Sequence, residues 1–297
     1  MKKILFFAMG VAIAMTSCES GITEEVDTSG ESAKVHVNLS GFEIETTTRA
    51  TTTADKVGVT GIVFAVVNSK GEIVYSAQQS SGSEGFGAVS FELTEGVYTF
   101  VAEAHICSGL ASISVNNGKA IATVGGSEVY ETFAASEQVE IKAGNEINLQ
   151  MTLSRITAQL SLVTKDNQPS GVAKVQIFIG DTSKPAYTDF SIDLTSGTMA
   201  GFGDEGHLAR EWSRTATHAS KPTTQDCALL LAAEEQTLPV KIVALNASGE
   251  TIRSHTISEV PFKQNCTTTI TGEFYNTSAA GSFQFDTEWG ENIEGGW

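Results

Sequence analysis

Short β-prone runs separated by tight-turn signals recur along almost the whole chain, and they fix what it can fold into. Residues 57–67 and 72–77 flank Asn68-Ser69-Lys70-Gly71, a hairpin signal with a glycine at the turn. Residues 88–93 and 97–105 flank Glu95-Gly96, residues 111–115 and 120–124 flank Asn116-Asn117-Gly118, and residues 137–141 and 146–153 flank Lys142-Ala143-Gly144-Asn145. In the last run Ile147, Leu149, Met151 and Leu153 alternate with Asn148, Gln150 and Thr152, which puts one face on a core. A second β series starts at Ile156, with Ala158, Leu160 and Leu162 on one face, and continues through 172–179, 227–232, 238–246, 250–257, 266–274 and 282–285. Near-regular short strands with almost no helical periodicity predict an all-β chain of antiparallel sandwiches. The pattern weakens over 180–224, where Gly197, Gly201, Gly203 and Gly206 interrupt it; this reads as a long surface excursion with a short helix over 208–218. The break at Ser154-Arg155 sets the expected division into sandwiches of 34–154 and 155–297, in firm contact across a short connection. No internal repeat is visible at the residue level.

The chain starts with Lys2 and Lys3, an apolar run over 4–15, and then Thr16, Ser17 and Cys18. This predicts a signal peptide over 1–17, because the run is shorter than the roughly 20 residues a spanning helix needs. A cysteine after small residues resembles the bacterial lipobox, in which the thiol takes a diacylglycerol. Met15 and Thr16 depart from the commonest Leu-Ala form, so a plain secretory signal stays open. Acyl chains contribute about 0.8 kcal/mol per buried methylene, so a lipidated Cys18 would hold the chain in the outer membrane without a span. Residues 18–33, with Glu19, Glu24, Glu25 and Asp27, read as an acidic tether. They resemble the surface-export signals of Bacteroidales lipoproteins; a plain solvated linker is the alternative.

A formal net charge of −17 argues against nucleic acid and anionic lipid surfaces as partners, since their phosphates call for Lys and Arg. Beyond Cys18 the cysteines are Cys107, Cys227 and Cys266. In an oxidising envelope two of them can pair, Cys227 with Cys266 being the more local choice, with a loop-closure stabilisation of roughly 3–4 kcal/mol. No spacing supports a metal or a cofactor. The stretch 201–206 with Asp204, Glu205 and His207 matches neither a Ca²⁺ loop nor a zinc motif and reads as a solvated turn, with His207 and His218 on the surface. There is no G-x-S-x-G elbow and no Cys/His pair in a catalytic register, and Glu234-Glu235 falls in an exposed turn. The chain is not read as an enzyme. Trp212 and Trp297 are candidates for a sugar platform, and Trp289 reads as core.

One stretch points to a mechanism. In residues 35–53, VHVNLSGFEIETTTRATTT, Val35, Val37 and Leu39 alternate with polar residues like a half-buried strand, followed by a Thr-rich loop that carries Arg49 before Ala50. A sandwich that loses such a strand keeps an apolar groove with unpaired backbone groups on both sides, which a strand from another chain can fill. An ordinary first strand followed by a surface loop is the alternative.

Several segments together resemble the type V fimbrial subunits of Bacteroidales, the fimbrillin superfamily. They are Cys18, the loop TTTRATTT around Arg49, EGVYTF at 95–100, LSRITAQLSLV at 153–163, VPFKQNCTTTITGEF at 260–274 and the closing F-x-F-D-T-x-W at 283–289. The resemblance implies two tandem transthyretin-like antiparallel Greek-key sandwiches, exported as a lipoprotein precursor. It implies an Arg-specific cut between Arg49 and Ala50, release of the strand bearing Val35, Val37, Leu39, Phe42 and Ile44, and filling of the groove by another fimbrial subunit. The segment 283–297 is the candidate donor. Anchor members of the superfamily keep both strand and lipid, so stalk, tip and anchor roles stay open. A carbohydrate-binding surface lipoprotein, with 180–224 facing a host or bacterial glycan, is the reading from another class.

Overall fold

The structure, a computed structural model, describes residues 31–44, 50–53, 58–106, 111–125, 129–199, 202–214, 223–276 and 284–290. Every regular element among them is a strand, so the chain is all-β. The first half holds β1 (Ala33–Ile44), β2 (Ala50–Thr53), β3 (Gly61–Asn68), β4 (Ile73–Ser80), β5 (Ala88–Leu93), β6 (Gly96–His105), β7 (Ala111–Asn116), β8 (Lys119–Gly125), β9 (Thr132–Ile141) and β10 (Glu146–Arg155). The second holds β11 (Thr157–Thr164), β12 (Lys174–Gly180), β13 (Asp189–Asp193), β14 (Thr198–Met199), β15 (His207–Ser213), β16 (Thr223–Leu230), β17 (Glu235–Leu245), β18 (Thr251–Lys263), β19 (Thr267–Gly272) and β20 (Gln284–Gly290).

In the first half an eight-stranded sheet folds over on itself. Strands β9-β6-β3-β4 make one layer and β10-β1-β5 the other, joined where Ser154 and Arg155 of β10 meet Ala134 and Phe133 of β9. Between the layers lies a core that includes Val35, Val37, Leu39, Phe64, Phe100 and Phe133. The other face of β3 and β6 is covered too: Val63, Ala65, Val67 and Val101 belong to a second core that runs through β7 and β8 into the other half. That explains why β3 reads as the unbroken run Ile62-Val63-Phe64-Ala65-Val66-Val67, whereas β4, at the edge, alternates.

The second half repeats the pairing. Strand β11 lies parallel to β19 and antiparallel to β16, as β1 lies parallel to β10 and antiparallel to β5. The order β15-β12-β17-β18 likewise matches β4-β3-β6-β9. The entry points agree: the Lys34 N–H donates to the Asn145 carbonyl at 3.0 Å and the Gln159 N–H to the Cys266 carbonyl at 3.0 Å. A repeat invisible in the residues is therefore present in the strand pairing. Each half carries a hairpin outside this pattern, β7–β8 in one and β13–β14 in the other. These hairpins meet in a four-stranded sheet β14-β13-β8-β7, with Phe190 opposite Val124 and Ile192 opposite Ala122. Lys119 Nζ closes the seam on Asp193 Oδ2 at 2.7 Å.

Two expectations are corrected. Residues 208–218 do not start a helix: β15 pairs with β12 from Lys174↔Ser213 to Gly180↔His207, and this ladder outweighs the local pattern. Cys227 and Cys266 are not bridged to each other. Cys227 sits opposite Leu160 on one side of β11, and the Cys266 carbonyl takes the Gln159 N–H on the other. Strands two places apart are about 9–10 Å distant, beyond the roughly 7 Å over which two Cα atoms can be bridged.

Candidate assembly site

The strand singled out in the sequence lies in the middle of its layer. Ala33 through Asn38 pair antiparallel with β5, from Ala33↔Leu93 to Asn38↔Ala88. On the opposite side Lys34 through Glu43 run parallel to β10, with a register shift between Asn38 and Gly41, and residues 41–44 pair with β2. The side chains of Val35, Val37 and Leu39 are buried, while Lys34 and Asn38 face solvent. This is the period of two that half-buried strands show, and it sets the register, because a slip of one residue would turn the apolar row outwards. Phe42 and Ile44 lie on the same strand; their side chains are outside the described residues.

Beneath the strand an aromatic floor gives the groove its shape. Phe91 on β5 stacks on Tyr75 at 4.1 Å between centroids, and Phe64 meets Phe100 edge-on at 6.0 Å. Met151 and Leu153 of β10 complete the apolar wall. At the rim His36 Nδ1 is 2.8 Å from the Ser90 hydroxyl, and its Nε2 is 3.6 Å from Glu146. Without β1 the β5 edge and one edge of β10 would lose their backbone partners and the floor its cover. The groove is thus suited to an incoming strand with apolar residues at alternate positions.

Strand β11 occupies the same place in the second half, but Ile156 alone separates it from β10. By contrast β1 is followed by the link 45–49, after which Ala50 pairs with Ile44. Arg49 belongs to that link and, like Cys18, lies outside the described residues; Ala50 is described through its backbone in β2. At the other end of the chain, β20 pairs antiparallel with β19 through Ile270↔Phe285 and Thr271↔Gln284. After β19 the Asp166 carboxylate accepts the backbone N–H groups of Phe274 at 2.9 Å, Tyr275, and Asn276 at 2.7 Å.

The fold buries several titratable groups. Glu103 and His105 are buried on β6, with His105 Nδ1 3.0 Å from Glu103 Oε2. Burial pushes the Glu103 carboxyl above its ordinary range, against the pull of His105. Glu131 and Arg155 form an ion pair at the joint of the two halves, where Arg155 also lies 5.5 Å from the Phe133 ring. Burial raises the Glu131 carboxyl and lowers the Arg155 guanidinium, with their mutual attraction opposing both. Burial likewise pushes the Cys227 thiol up to about 12. His207, read as a surface residue, is buried, with Nδ1 2.9 Å from the Lys184 carbonyl. Trp212 is half-buried against the core. Among the described residues no three His, Cys, Asp or Glu side chains converge as a metal site.

The arrangement defines an all-β chain with a groove filled by its own first strand. The chain belongs to a family described as a family of unknown function (DUF6562), which it matches over residues 27–297. No curated protein matches the sequence. The fold is similar to that of a candidate adhesin from Bacteroides ovatus, with a TM-score of 0.55, 12% identity, and coverage of 86% of this chain and 97% of that one. A candidate adhesin from Bacteroides thetaiotaomicron gives 0.51 at 10% identity over 88% and 96%. The fimbrial anchor protein Mfa2 from Porphyromonas gingivalis gives 0.50 at 10% identity over 86% and 95%.

Proposed function

We propose that this chain is a structural and adhesive subunit of a surface fimbria, made as a lipoprotein precursor and assembled by donor-strand exchange. The observation that carries the reading is β1 itself: a strand paired on both edges, buried through Val35, Val37 and Leu39, and followed by the link that holds Arg49. The fold shared with adhesins and a fimbrial anchor supports it. In this account the repeated pairing corresponds to two tandem transthyretin-like Greek-key sandwiches, 34–154 and 155–297. Cys18 carries the lipid that holds the precursor on the outer face of the outer membrane. A cut between Arg49 and Ala50 severs the covalent hold on β1. The C-terminal segment of another subunit then takes the groove, and because groove and donor lie at different places on each chain, the contact is heterologous and propagates as a filament. The chain acts through binding, as a non-enzyme.

The similarity to a fimbrial anchor favours one second reading, a precursor that keeps β1 and the lipid and stays at the membrane as the base of a fimbria. A displacement assay separates the two. The chain is nicked with an Arg-specific protease and incubated with a synthetic peptide of residues 283–297. Loss of the β1 fragment with retention of the peptide supports exchange. A nicked chain that holds β1 against excess peptide excludes 283–297 as the donor and favours the anchor.

A further inference from the structure

Among the described residues the two halves differ at one edge, which the second half covers with a strand and the first does not. With Lys34 equivalent to Gln159 and Asn145 to Cys266, Ile147 and Leu149 of β10 correspond to Thr268 and Ile270 of β19. In the second half β20 covers the outer edge of β19, and Thr268 and Ile270 are 4% and 0% exposed. In the first half the outer edge of β10 pairs with β9 at Ser154 and Arg155 alone, so from Glu146 to Leu153 no strand lies beside it among the described residues. Ile147 and Leu149 point to the core and yet are only half-buried. Among the described residues nothing there corresponds to the strand that the second half supplies.

The chemistry of this edge says what fits. Exposed edges are commonly guarded by charge or proline. The outer strand β18 follows that rule, with Arg253, Glu259 and Pro261. From Ile147 to Ser154 β10 carries neither: its outer row is Asn148, Gln150 and Thr152 and its inner row is apolar. That sequence is complementary to itself. Laid antiparallel about Gln150, Leu149 meets Met151, Asn148 meets Thr152 and Ile147 meets Leu153, so apolar residues stay on the core side and amides and hydroxyls pair outside. The ladder then runs from Ile147 to Leu153, short of Ser154, which β9 already pairs, and no charges lie within it. For a chain of net charge −17 this uncharged seam is a place where two copies can approach.

We propose that β10 is a homodimer edge: a second copy of this chain pairs its own β10 antiparallel about a two-fold axis at Gln150 and continues the sheet across both molecules. The contact needs neither the cut at Arg49 nor exchange of β1, so it is separable from filament growth. An isologous contact of this kind closes as a pair.

The test uses the full chain in detergent. Sedimentation across a range of concentration is expected to show a reversible dimer whose population rises with salt, as screening weakens the repulsion between two acidic copies. Gln150→Lys, which sets two lysines together on the axis, is expected to reduce the dimer at least tenfold with circular dichroism unchanged. Gln150→Cys is expected to form a disulfide-linked pair under mild oxidation, where Ser254→Cys on the exposed face of β18 forms none. Arg49→Ala is expected to leave all of this unaltered. A single-chain mass at every concentration, a dimer indifferent to Gln150→Lys, or capture of a different protein by Gln150→Cys on cells would each overturn the proposal.

Discussion

Glu131 and Arg155 pair where β10 leads into the second half, their side chains 16% and 14% exposed. Removing one member leaves the other a half-buried charge without its partner, so Arg155→Ala is expected to lower stability by about 1–3 kcal/mol in denaturant titrations. Glu103 gives the chain a pH dependence of definite sign. Its carboxyl is raised in the folded state, so its share of the stability is complete below the unfolded value of 4.5 and falls as pH rises through the folded value. Glu103→Gln is therefore expected to unfold with a flatter pH profile above that point and to gain on the parent as pH rises. A steeper loss in the variant would contradict this. With its thiol pushed up to about 12 and no reach to Cys266, Cys227 is expected to resist alkylation until the chain unfolds, as intact mass would show. The turn residues were the most legible part of the sequence because their demands are local. Asn117 and Gly118 take φ of 50° and 76°, as the Asn-Asn-Gly turn requires. Asn68 and Asn246 both accept two backbone N–H groups within their own hairpins.

At the scale of the element, β1 is held by shape and register together. Val37 is 1% exposed, and Val37→Asp would bury a charge without a partner, with an expected cost of about 3 kcal/mol or more. Lys34→Ala, on the solvent side, is expected to stay within about 0.5 kcal/mol, so the pair of variants reports the facing of the strand in one denaturation experiment. This alternation was readable beforehand, since a period of two needs no tertiary knowledge. The neighbours of β1 were not: its ladders join Val35 to Phe91 and to Ile147, and nothing in a local window encodes a parallel partner so far along the chain. The same limit produced the helix expected over 208–218, which pairing with β12 overrides, and the Cys227–Cys266 pair, close along the chain but kept apart by β11.

The whole molecule is tied together more firmly than a covalent joint alone would allow. Strands β8 and β13, from opposite sides of residue 155, share a sheet, and one core runs through both halves. A single calorimetric unfolding transition is expected, and Ser191→Pro, which interrupts the β8–β13 ladder, is expected to split it in two. An unchanged single transition in that variant would mean that the core couples the halves without the ladder. Within this frame β1 is a strand that one cut in the link 45–49 would free, whereas its counterpart β11 is continued at both ends, from Ile156 and into Lys165. The most direct measurement of the account is the N-terminal sequence and intact mass of the chain from sheared filaments and from membranes. Assembly by strand exchange predicts a start at Ala50 in the filament fraction. A start at acylated Cys18, confined to the membrane fraction, would contradict it.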